Sequence, residues 1–74
     1  MQHHIHATTH GVDHGHVIDI TRRLAPFAIE SKVTERGGRV EWDLFSTSES
    51  EQEMLRNLRS AVKRSTGRDC TRAG

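Results

Sequence analysis

The sequence predicts a small α+β domain, one antiparallel sheet with two helices on one face. Three observations predict it. Apolar residues recur at helical spacing in two separate stretches, one led by Val17 and one by Met54. Between them, a Gly-Gly turn joins two runs that alternate apolar and polar. A shorter alternating run comes before the first helical stretch. The chain has 74 residues, 32% of them hydrophobic, with one Trp, two Phe and no Tyr. A domain this small buries roughly 60% of its unfolded surface, so its core is thin and a partner subunit is expected.

In the first run, His3, Ile5, Ala7 and Thr9 share one strand face, and His4, His6, Thr8 and His10 share the other. The β-branched residues Ile5, Thr8 and Thr9 favour a strand. Gly11 and Gly15 bracket the turn that follows. Val17, Ile20, Leu24, Phe27 and Ala28, with Thr21 on the same side, then give a helix over about 15–25. Pro26 disfavours helical geometry at Ala25 and ends it. Phe27, Ile29 and Val33 alternate with Ala28, Glu30, Lys32 and Thr34. Arg36-Gly37-Gly38-Arg39 turns the chain, and Val40, Trp42 and Leu44 alternate with Glu41 and Asp43. This is an antiparallel hairpin with one apolar and one polar face. Ser48 with Glu51 fits a capping box for the second helix. Met54, Leu55, Leu58, Ala61 and Val62 form its stripe, and Gly67 marks its end. Residues 68–72 add an edge strand or fray. The order is the ferredoxin-like βαββα(β) arrangement, a single domain over 1–74 with 1–3 and 73–74 as its loose ends.

The formal net charge is +1, which argues against a dedicated nucleic-acid binder. Arg56, Arg59, Lys63, Arg64, Arg68 and Arg72 follow acids at Glu49, Glu51 and Glu53. That gradient suits a helix dipole and reads as a solvated helix face. The lone Cys70 can form no intrachain disulfide and reads as an inert thiol, which fits a reducing, cytoplasmic setting. The N-terminus lacks a signal-peptide pattern, and no apolar run approaches the ~20 residues of a membrane span. Gly-rich nucleotide motifs are absent. His4-x-His6 on a strand is the pattern of single-strand nickases, but these need a Tyr nucleophile. The chain therefore reads as a non-enzyme.

The stretch from Gly11 to Ala25 resembles the opening of an ACT domain. In that family the first strand leads into an Asp-x-x-Gly-type turn, followed by an apolar residue, an Ile-Thr pair and a Leu-Ala pair. These fall on Asp13, Gly15 or His16, Val17, Ile20-Thr21 and Leu24-Ala25. Here His16 stands between Gly15 and Val17, and Phe27-Ala28-Ile29 replaces the family's Asn-Ile after the first helix. The likeness is greatest to the C-terminal ACT domains of RelA/SpoT-type ppGpp synthetase/hydrolases, and it extends from His4 to Arg72.

The resemblance implies a regulatory homodimer, free-standing or within a larger regulatory protein, that binds an amino acid of the branched-chain class. The implied contacts are Val12, Asp13, His14, Gly15, His16, Val17 and Ile18. Backbone N–H groups of Gly15, His16 and Val17 would receive the ligand carboxylate. Asp13 would accept from its ammonium, and Ile20 would flank its side chain. The alternative is that Asp13 and Gly15 only form a turn and helix cap.

All six histidines lie in the first 16 residues. His4 and His6 share a strand face and, with His14 and His16 of the turn, could complete a site for zinc, nickel or copper. No cofactor is otherwise required. His3, His6 and His10 are a less regular alternative set, and solvated, pH-responsive histidines are the plainer reading of the cluster, since this side chain titrates near physiological pH. For the chain as a whole, an amino-acid sensor is the first reading, a metal-binding or metal-responsive module the second and a ligand-free interaction module the third.

Overall fold

The computed structural model describes residues 1–73. Strand β1 spans His3–His10, helix α1 His14–Leu24, strand β2 Glu30–Arg36 and strand β3 Arg39–Ser46. Helix α2 spans Glu51–Thr66 and strand β4 Thr71–Ala73. The four strands form one sheet in the order β2-β3-β1-β4, with every neighbouring pair antiparallel. This α+β arrangement is compatible with a small ferredoxin-like fold. Residues 3 and 73, expected at loose ends, are strand residues; position 74 of that expectation lies outside the described residues. No helix among the described residues is long and apolar enough to cross a membrane.

Register places Ala7 opposite Trp42, and Trp42 opposite Val33 on its other side. Directly opposed residues share a sheet face, so the apolar positions of three strands line up. Ala7, Val40, Trp42 and Leu44 are buried there with Val17, Ile20 and Leu24 of α1 and Met54, Leu58, Ala61 and Val62 of α2. Trp42 is fully buried, and its indole N–H donates to the Oγ1 of Thr9, equally buried, at 3.0 Å. A buried indole N–H needs such an acceptor.

Local rules set the element ends. Gly37 and Gly38 both have positive φ, at 49° and 80°, so a two-residue type I′ turn joins Arg36 to Arg39. Helix α2 ends where Gly67 takes the left-handed conformation and its N–H reaches the Lys63 carbonyl at 2.7 Å.

Two expectations need correction. The α2 cap is Ser50, whose side chain accepts from the Glu53 N–H at 3.2 Å, not Ser48. Ser46 Oγ accepts from the N–H groups of Ser48 and Glu49, which holds that stretch in a turn and delays the helix. Phe27 is not a strand residue either. Ala25–Phe27 form a single 3-10 turn with Pro26 inside it, and Phe27 is left 46% exposed. Ala28 closes the turn with φ at 58°, a left-handed conformation that costs a residue with a Cβ about 1–2 kcal/mol.

Candidate functional site

The β1–α1 turn sits where β1 leaves the sheet, beside the β2–β3 hairpin. Gly11 donates its N–H to the Gly38 carbonyl at 3.2 Å, and the Arg68 guanidinium donates to the Gly11 carbonyl at 2.9 Å. Gly11 has φ of 68°, a conformation that calls for glycine, and a Cβ on it would lie 2.9 Å from that guanidinium, which would have to shift off its contact with the Gly11 carbonyl. The N–H of His10 reaches the carbonyl of Cys70, which packs half-buried against the core. His14 Nδ1 lies 2.9 Å from Glu35 Oε2. The turn is thus tied to the hairpin and to the C-terminal segment.

Within the turn, Asp13 is the N-cap of α1. Its Oδ1 accepts from the His16 N–H at 2.9 Å, and its carbonyl from the Val17 N–H at 3.0 Å. Two of the three amides expected to receive a carboxylate, those of His16 and Val17, are therefore already partnered. The free donors shift toward the N-terminus: His14 and Gly15, as the first two helical residues, have no acceptor within the helix. Val12 and Val17 are buried in the core, as is Ile20, so none of them offers a ligand surface. Asp13, His14, Gly15 and Ile18 are exposed, and His16 is half-buried with its Nδ1 3.3 Å from Asp13 Oδ1. No described cleft is lined by residues 12–18.

The four histidines expected to share a metal are not gathered. His14 is tied to Glu35, and His16 faces Asp13. His4 and His6 lie on the open sheet face, and His4 is about 20 Å along the strand from His10, at ~3.3 Å per residue. Their common partner is Asp43 on β3: His4 Nε2 lies 2.9 Å and His6 Nδ1 3.2 Å from the same Oδ1. His6 Nε2 is also 3.7 Å from Glu41 Oε1, and the His4 ring stacks on Phe45 at a centroid distance of 4.6 Å. The hydrogen bond from His4, then that from His6, holds the Asp43 carboxyl below the usual carboxylate range. Among the described residues, no group of three or more His, Cys, Asp or Glu is arranged to hold a metal ion.

Beside this cluster, a cleft of about 370 Å³ is lined by Ile5, Leu55, Glu51, Gln52 and Ala73 as well as the two histidines. Strand β4 pairs only with residues 7–9, so the first half of β1 has no described partner on that side.

Arg68, Glu35 and Asp43 escape sequence reasoning. Their partners lie 57, 21 and 37 to 39 residues away, and no local pattern marks such pairs. No protein-family model, curated protein or solved structure matches this chain.

Proposed function

We propose that this chain is a ligand-sensing regulatory module of the ACT type, and that it binds an amino acid between its β1–α1 turn and a second copy of itself. One observation carries the reading: the exposed start of α1, with the amides of His14 and Gly15 beside the Asp13 carboxylate, is held in place by the Arg68–Gly11 and His14–Glu35 contacts. A free amino acid carries the complementary pair of charges. Its carboxylate suits helix N-terminal amides, and its ammonium suits Asp13. The turn's exposed donors lie on the surface, and in this reading the second wall of the site comes from another subunit. Pairing would also bury further apolar surface for a thin core.

The test is a thermal-shift panel of the natural amino acids, paired with sedimentation velocity. A branched-chain amino acid should raise the melting temperature and enlarge the sedimenting species. Asp13→Asn keeps an oxygen for the cap but removes the charge, so it should abolish the response while the protein stays folded. If no amino acid changes either readout, the sensor reading fails and the interaction-module reading takes its place.

A further inference from the structure

We propose that the groove between the outward sides of α1 and α2 is a docking site for an acidic peptide segment that inserts one large apolar side chain against Phe27. The groove measures about 340 Å³ and is lined by Arg23, Phe27, Asn57, Ser60, Ala61 and Arg64. Its floor at Ala61 is buried core, and its rim carries a guanidinium on each bank.

Charge complementarity selects the partner. From Met54 to Arg68 the chain carries Arg56, Arg59, Lys63, Arg64 and Arg68 and no acid. The first four are exposed on α2. Among the described residues, Arg59, Lys63 and Arg64 form no ion pair, and Arg56 only approaches Glu53, at 3.7 Å. On the α1 bank Arg23 is held 3.0 Å from Asp19, which fixes its position without neutralising the opposite bank. Arg64 is thus the unpaired guanidinium on the groove's rim, with Arg23 on the other bank and the buried Ala61 between them.

The backbone gives an independent reason to read the slot as built for a partner. Phe27 is one of only three large hydrophobics left exposed among the described residues. It sits in the 3-10 turn with Pro26, which Ala28 closes in the left-handed conformation, so the backbone fixes where the ring stands. Aromatic and arginine side chains together are the usual anchors of protein interfaces. Nucleic acid is disfavoured because the chain's net charge of +1 leaves little long-range attraction.

Fluorescence anisotropy of a fluorescein-labelled peptide of alternating Glu and Asp with one central Leu tests this, on the intact chain. Binding should weaken with added salt and fall roughly tenfold or more in Arg64→Glu and in Phe27→Ser. Arg64→Gln should lose less, and Arg36→Glu on the hairpin should bind as the parent does. Circular dichroism of each variant establishes that it is folded. The proposal is overturned if the peptide does not bind, if Phe27→Ser binds normally, or if Arg36→Glu loses as much as Arg64→Glu. It is likewise overturned if a single-stranded oligonucleotide of equal charge binds more tightly than the peptide.

Discussion

The two faces of the sheet are made of alternate residues of the same strands, yet different forces hold them. On the covered face, Ala7, Thr9, Val40, Trp42 and Leu44 are buried under the helices, and one hydrogen bond satisfies the Trp42 indole. On the open face, His4, His6, Glu41 and Asp43 pair with one another while partly in water. Burial of apolar area gives the first face its stability. Exposed ion pairs contribute little to the second, because solvent screens them and their side chains lose freedom. The covered face should therefore decide whether the chain folds, and the open face should contribute, with the Asp19–Arg23 pair of α1, to how it responds to acid.

The largest effect falls on the covered face. Trp42→Ala should cost about 3–5 kcal/mol. Whole domains have only about 5–15 kcal/mol to lose, so urea denaturation should show the cooperative transition weakened or absent. Thr9→Val keeps the shape but leaves the indole N–H without its acceptor, and should cost about 1–3 kcal/mol in the same experiment. If Thr9→Val is neutral, the polar contact under the helices adds nothing and apolar packing alone accounts for that face.

Between these and the open face lie the caps. Ser50→Ala should lose about 0.5–2 kcal/mol, and Ser48→Ala clearly less, since Ser50 accepts the helix amide. Equal losses would mean that the helix starts earlier than described.

The smallest effect at neutral pH belongs to Asp43→Asn, expected to stay below about 1 kcal/mol. Its signature is the pH dependence. The folded state holds the Asp43 carboxyl below its ordinary value through the bonds from His4 and His6. The unfolded chain therefore binds a proton more readily. This contribution is complete above the unfolded carboxylate range, near pH ~4, and is lost as the pH falls toward the lowered folded value. Stability of the parent should thus decline through that acid window, and Asp43→Asn should flatten part of the decline. A parallel decline in both proteins would remove Asp43 from the account.

The same contrast explains what the sequence revealed. Alternation in β1 and β3 identifies which residues share a face, and helical spacing identifies the buried stripes. Hence α1, expected over about 15–25, lies at His14–Leu24, and the Gly37-Gly38 turn lies where the hairpin requires it. Partners across the sheet were not readable, because Asp43 meets His4 and His6 only after β3 has docked on β1. Phe27 kept the right period, but Pro26 turned it out to solvent. At the β1–α1 turn, sequence placed the helix start and offered Asp13 as its cap only as the alternative to a ligand contact; the cap is what forms, and it leaves His14 and Gly15 as the donors in place of His16 and Val17. The pin from Arg68 to Gly11 joins residues 57 apart and has no local signature.

The most direct test of the sensor reading is a nitrogen–proton NMR spectrum of the labelled chain, titrated with a branched-chain amino acid. The account predicts that amide shifts concentrate on residues 12–18, with His14 and Gly15 moving most and Asp13→Asn abolishing them. An unchanged spectrum, or shifts confined to the His4–His6 cleft or the Arg23–Arg64 groove, would contradict it.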